Sequence, residues 1–284
     1  MTVNPASMSG PQPFGHEEQF MPFMGRGTPR GRVEIHHYVE EEWFASGEDE
    51  SGHPYETVMF VRRPRDQKNF SGTVIVEPMH ATPVTPIWMA TSLYIMRSGH
   101  GWAAITCQKT SLDGYVKPSS PQRYESLRIH ADPPSKGAPV WDLGRPVLKA
   151  DPATRAAFWA ERLRQNEAAN TILAQVGAAI GAPAGPYEGW DVSHVLLVGH
   201  SQTGFVTTNY IREAHTSQRR ADGSPVFHGF LPTGSPEEPF AGYDVPIVQV
   251  ISEGDVTDPN YCYRPGYEGR IYRRGDSDGP EEEV

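Results

Sequence analysis

The chain has 284 residues, a formal net charge of −10, 37% hydrophobic content, 28 Gly and 27 Pro. That length suits one large α/β domain whose core needs no staples, with much ordered loop around it. The charge argues against a general nucleic-acid binder and against an anionic membrane surface. Its two cysteines, Cys107 and Cys262, make neither a disulfide framework nor a C-x-x-C spacing.

Met1 to Gly10 carries no basic start and no apolar run, and no stretch is long enough to cross a bilayer, so a soluble, cytoplasmic setting is expected. Residues 1–32 are rich in Gly, Pro and Met without periodicity and read as an N-terminal arm rather than an element; residues 33–284 then form the domain. Val33, Ile35, His37 and Val39 alternate with polar neighbours, which predicts a half-buried strand. The acidic run Glu40-Glu41-Glu42 predicts a solvated turn, and Glu48 to Gly52 another. Thr57 to Val61 is a second strand, stopped by Arg62-Arg63-Pro64, and Thr73 to Val76 a third. Two such strands ahead of a fully apolar one suit a mixed sheet that is antiparallel at one end.

Glu77 to Pro83 is expected as a loop, Ile87 to Met96 as a helix and Gly101 to Cys107 as a fourth strand. Residues 108–150 have many Pro, Gly and Ser and no period, as expected of lid or pocket loops, with Trp141 walling a pocket. A helical pattern spans Ala153 to Arg164. A stronger one spans Asn166 to Ile180, with Ala169, Ile172, Leu173, Val176 and Ile180 on one stripe. Val195 to Val198 is a buried strand followed by a helix to about His215. Val226 to Leu231 and Val245 to Ile251 complete the strands. Strands alternating with helices in the second half predict an α/β sheet, mostly parallel, with helices on both faces.

The stretch Val195-Leu196-Leu197-Val198-Gly199-His200-Ser201-Gln202-Thr203-Gly204 has the layout of a nucleophile elbow: buried strand, sharp turn bearing serine, then helix. Such a serine sits at a strained backbone position, so small neighbours are needed where strand and helix converge. Gly199 meets that need, but Thr203 replaces the second glycine of G-x-S-x-G and Gly204 comes one place late. The competing reading is an ordinary strand–turn–helix in which Ser201 merely caps the helix.

A serine nucleophile needs a base, and in this layout the chain order is serine, acid, histidine. Asp255, after the last strand and a turn-forming Gly254, is the leading acid, with Glu253 and Asp258 as alternatives. None of the eleven histidines follows it; the last is His228. His200 adjoins the serine but points away from it at a sharp turn. His36, His37, His53, His194 and His228 are expected as satisfied polar groups. His80, His100 and His130 lie in loops or near strand ends where they could approach a pocket.

An oxyanion hole requires two backbone N–H groups. Gln202 supplies one, helped by its helix N-terminus. The loop after the third strand supplies the other from Met79 or His80, His80 being favoured, since Pro78 has no N–H. Asp276-Ser277-Asp278-Gly279 begins like a calcium loop whose remainder is missing, and His16-Glu17-Glu18 lacks a zinc helix's second histidine. No Gly-rich phosphate loop occurs. No metal, nucleotide or other cofactor is expected.

Taken in order, several stretches resemble a family of bacterial α/β-hydrolase-domain proteins. They are Tyr38-Val39-Glu40-Glu41-Glu42-Trp43-Phe44-Ala45-Ser46-Gly47, Val61-Arg62-Arg63-Pro64, Phe70-Ser71-Gly72-Thr73-Val74-Ile75-Val76-Glu77, Arg123-Tyr124-Glu125-Ser126-Leu127, the Gly199 to Gly204 turn and Asp276-Ser277-Asp278. The resemblance implies an α/β-hydrolase fold, Ser201 as nucleophile and the Glu253-Gly254-Asp255 stretch as the place of the acid. It accounts for Thr203, because the family's elbow has Ser-Gln, then Ser or Thr, then Gly. Met79-His80 stands where the family has Leu-Asn. Family members also continue past the Asp-Ser-Asp segment into a final strand and a loop carrying the catalytic histidine, so a missing C-terminal piece is expected. The function implied is a serine carboxylesterase acting on a small or medium ester. The alternative is a binding or scaffold protein on the same fold, without catalysis. The only expected partner is a small-molecule ester, not nucleic acid or membrane.

Overall fold

The computed structural model describes residues 1–12, 30–80, 85–131, 153, 157, 160, 161, 164, 166–235 and 240–251. Among them lies a seven-stranded sheet in the order β1-β2-β3-β5-β4-β6-β7. Its strands are β1 (Ser7–Ser9), β2 (Tyr38–Glu48), β3 (Pro54–Pro64), β4 (Thr73–Pro78), β5 (Gly101–Ile105), β6 (His194–His200) and β7 (Gly229–Thr233). The pairings β1–β2, β2–β3 and β3–β5 are antiparallel, whereas β5–β4, β4–β6 and β6–β7 are parallel. The expected mixed α/β sheet with an antiparallel end is therefore present.

The N-terminal residues do form an element: β1 pairs with β2, and Val3 and Ala6 donate backbone hydrogen bonds to Arg219 and Gln175. The strand predicted from Val33 is instead a short helix, α1 (Arg30–Ile35), which buries Val33 and leaves Ile35 exposed. A left-handed His37 (φ 58°) reverses the chain, and β2 starts only at Tyr38.

Glu40-Glu41-Glu42 is not a solvated turn but the middle of β2. Each carboxylate has a basic partner brought from elsewhere. Arg62 reaches Glu40 (2.7 Å), Arg63 reaches Glu41 (2.6 Å), and Arg123 reaches Glu42 (2.9 Å), which is 1% exposed. Arg62, Arg63 and Pro64 accordingly do not stop β3 but belong to it. The buried Arg62 guanidinium lies 4.4 Å from the Trp88 ring and 5.1 Å from that of Trp102, a desolvated cation–π arrangement. The Glu48–Gly52 turn is as expected: Asp49 Oδ1 accepts from the Ser51 and His53 N–H groups, and Gly52 takes φ 79°.

Helix α2 (Pro86–Arg97) joins the parallel strands β4 and β5. Glu77 is inside β4, not in a loop, and its buried carboxylate caps α2 by accepting from Ile87 N (2.8 Å) and Trp88 N (3.0 Å). Where pocket loops were expected after residue 108, a helical run appears: Lys109–Ser111, a π turn at Leu112–Val116, then Lys117–Ser119. Trp141 and the rest of that stretch from residue 132 lie outside the described residues, as do the side chains of most of the helical pattern from Ala153 to Arg164. Helix α3 (Ala168–Ala179) buries the predicted stripe, Ala169, Ile172, Leu173, Val176 and Ile180.

Helix α4 (Gln202–Asn209) follows β6 and continues as a π turn, Tyr210–Ala214. The strand predicted from Val226 begins three residues later, because Val226 and Phe227 pack into the core beneath Gly177 before β7 starts. Val245 to Ile251 runs parallel beside β7 through the bridges Phe230–Ile247 and Thr233–Val250. Among the described residues no helix is long and apolar enough to cross a membrane.

Candidate active site

The parallel strands β4, β6 and β7 all end at one edge of the sheet, and Ser201 stands at the tip of β6. Its backbone has φ 55° and ψ −120°, a conformation costing a non-glycine residue about 1–3 kcal/mol. The side chain makes no capping hydrogen bond to α4, so the simple helix-cap account of this serine fails. Ser201 is half-buried, not sealed under its neighbours.

The surroundings over-determine that bend. Ser201 N donates to Thr233 O (2.8 Å) at the end of β7, and Phe205 N donates to Ser201 O (3.0 Å). Thr203 Oγ1 accepts from His200 N (2.9 Å) and donates to His200 O (3.0 Å), clasping the residue before the serine. A Cβ on Gly199 would stand 2.2 Å from Thr203 O. A Cβ on Gly204 would stand 2.6 Å from both Thr233 O and Ser235 Oγ. The glycine that the sequence places one position late is thus the residue at which α4 crosses the end of β7. Thr203, completely buried, fills the position where the strict pattern has its second glycine.

Gln202 opens α4, where the amides of a first helical turn point outward and the dipole favours negative charge. Of the two candidates after β4, Met79 is ruled out as second donor because its N–H donates to Ile105 O (2.8 Å). His80 is its neighbour in the same loop, and Ser111 Oγ donates to His80 O (3.0 Å). Asp255, Glu253 and Asp258 lie outside the described residues, although Val250, bridged to Thr233, brings the chain to this edge shortly before them.

Two residues went unnoticed in the sequence. The Gln108 side chain, 1% exposed, pairs with that of Gln202 and also donates from Nε2 to Met79 O (3.1 Å). Ser111 joins it on the same loop. Nothing local singles them out: Gln108 follows directly on an apolar strand, and its amide partner is 94 residues away.

The histidines sort by position. His200 is exposed, with Nδ1 2.8 Å from Thr233 Oγ1. That hydroxyl also lies 3.1 Å from Gly199 O, and the contact holds the ring on the β7 side of the turn. His100 precedes β5 at the opposite edge of the sheet, hydrogen-bonded to Ser71 Oγ (2.6 Å). His130 stacks on His53 at 3.7 Å, beside the β2–β3 turn. His228 accepts from Val195 N at the start of β6, and His215, fully buried against Phe230, pairs with Asp244. Burial lowers the His215 pKa, against the pull of Asp244. Among the described residues, then, none of these rings meets the Ser201 hydroxyl.

Beneath the site, burial pushes Glu77 up to about 7, while the Ile87, Trp88 and Trp102 N–H donors and the Arg62 cation pull the other way. The buried Cys107 thiol is pushed up to about 12 and is inert at neutral pH. No group of three metal-ligating side chains occurs among the described residues.

The sequence profile of the alpha/beta hydrolase domain family matches residues 8–274. The chain belongs to the alpha/beta hydrolase domain family. No curated protein matches it in sequence. Among solved structures, a mutant of the esterase Est22 matches this hydrolase domain at 10% identity with a TM-score of 0.39, over 79% of this chain and 52% of its own. Prolyl oligopeptidase B from Galerina marginata matches at 16% identity and 0.32, over 70% of this chain and 21% of its own. Oligopeptidase B from Leishmania major matches at 9% and 0.33, over 69% and 20%. The match thus spans about a fifth of each oligopeptidase and about half of the esterase. Scores this low say nothing about substrate.

Proposed function

We propose that this alpha/beta hydrolase is a serine hydrolase that cleaves a carboxylic ester of small or medium size. The supporting observation is the Ser201 bend: a positive-φ serine, its hydroxyl not spent on capping, at the tip of a parallel strand and the start of a helix. In this reading Ser201 Oγ attacks the ester carbonyl as a histidine takes its proton. The oxyanion is held by backbone N–H groups of Gln202 and His80, and Asp255 orients the histidine. The histidine returns that proton to the departing alcohol, leaving an acyl-Ser201; water, giving a proton to the same histidine, then attacks the acyl carbonyl and releases the carboxylic acid as Ser201 regains its proton. The roles of Asp255 and His80, the cytoplasmic setting and the absence of nucleic-acid or membrane partners belong to the same proposal, and no cofactor is required by it.

The experiment is fluorophosphonate labelling, with a panel of ester substrates run beside it on the full-length protein and its Ser201→Ala variant. Labelling that maps to Ser201 and turnover lost in the variant are expected. Equal rates from both proteins would reject the role given to the serine and favour a binding protein on a hydrolase scaffold.

A further inference from the structure

We propose that Gln108 is the positioning residue that fixes the width of the oxyanion hole at Ser201; this rests on the nucleophile reading above. Oxyanion donors are effective because they are held in place before charge develops. Here the two donors belong to separate segments, the loop after β4 and the first turn of α4. The backbone ladder between β4 and β6 ends at Val76–Leu197, short of both donors. Beyond that register the two tips are joined through side chains.

Gln108 makes the join. Its Oε1 accepts from Gln202 Nε2 at 2.6 Å. Its Nε2 is shared between Gln202 Oε1 (3.2 Å) and Met79 O (3.1 Å). One buried carboxamide therefore ties the residue after the nucleophile to the residue before His80. Its own backbone is anchored, since Gln108 O accepts from both Ser111 N and Leu112 N at 3.0 Å. Ser111 Oγ adds a second tie, to Met79 O (3.3 Å) and His80 O (3.0 Å). Gln108 touches no reacting atom and acts only by holding the donors.

The test uses the whole chain and a fluorophosphonate probe, whose bound phosphoryl oxygen occupies the oxyanion position. Gln108→Met keeps the length and apolar volume of the side chain but cannot donate and accepts only weakly. Labelling of Ser201 should slow roughly tenfold to hundredfold, less than the hundred- to thousandfold reported for deleting one donor outright. Gln108→Glu gives a readout that a purely structural role would not move. When protonated, its carboxyl can still donate one hydrogen bond and accept another; when ionised, it only accepts and faces Met79 O. Its rate relative to wild type should therefore fall toward the level of Gln108→Met as the carboxyl ionises with rising pH. Should Gln108→Met not fold, Gln202→Met breaks the same pair from the half-buried side and leaves the Gln202 backbone N–H in place. Wild-type rates in all these variants overturn the proposal, as does a loss in Gln108→Glu that is the same at every pH. A wild-type chain that is not labelled at all overturns the nucleophile reading first, and this proposal with it.

Discussion

Gly199→Ala is the sharpest perturbation of the elbow. The added Cβ would lie 2.2 Å from Thr203 O, 2.5 Å from Thr203 C and 2.6 Å from Thr207 Oγ1. The first two are backbone atoms of the first turn of α4, and no rotamer change can move them. Restoring ordinary contact at about 3.4 Å requires the turn to retreat by roughly 1 Å, which overpacked sites resist at about 1–3 kcal/mol. Because that turn carries Ser201 and Gln202, the displacement also reaches the chemistry, where a shift of ~1 Å can lower a rate about hundredfold. Gly199 does not need a positive φ, so the effect is purely steric. Urea unfolding should give a lower midpoint with an unchanged slope, and fluorophosphonate labelling should slow by about two orders of magnitude. A variant with wild-type midpoint and wild-type labelling would refute the claim that strand and helix converge on this glycine.

Thr203→Gly restores the strict G-x-S-x-G pattern, yet it removes the hydroxyl that clasps His200 N and O; labelling should slow, and stability should fall by about 1–2 kcal/mol in urea titrations. Glu42→Ala removes a buried carboxylate facing Arg123 and the Tyr124 hydroxyl, and a loss of roughly 3 kcal/mol is expected, seen as a lower unfolding midpoint. Glu77→Gln bears on pH. A folded-state carboxyl raised from 4.5 to about 7 stabilises fully below pH 4.5, and that contribution drains away as pH rises through 7. The stability of the wild type relative to Glu77→Gln should therefore fall between pH 5 and pH 8, by as much as ~3 kcal/mol at about 1.4 kcal/mol per pH unit; a constant difference would mean that Glu77 stays ionised throughout.

The elements legible in the sequence are those set by neighbours along the chain. Val195 to Gly199 reads as a buried strand because four apolar residues and a glycine suffice, and the α3 stripe reads from its spacing alone. Glu40-Glu41-Glu42 misleads because its meaning lies elsewhere: its arginines sit 22 and 81 residues away, and three adjacent acids without them look like a solvated turn. The Val33–Val39 alternation fails for a different reason. A stretch so short fits a helical turn and a strand equally well, and the left-handed His37 that separates them leaves no mark in composition. Gln108 is invisible on both counts, a polar residue after an apolar strand whose side-chain partners come from two distant segments.

Strain and over-determination occur together at the elbow, and the pairing has a physical logic. A serine at φ 55° relaxes unless its flanks are held, so the bend persists only if the residues on either side are fixed by contacts stronger than the strain. His200 is clasped in front by Thr203, Phe205 is bonded behind to Ser201 O, and Ser201 N is tied sideways to Thr233. None of these bonds uses the serine hydroxyl. Among the described residues, the contacts that hold the backbone in this unfavourable state therefore leave the hydroxyl outside their own network, which is the arrangement that the proposed nucleophile requires and a structural cap does not.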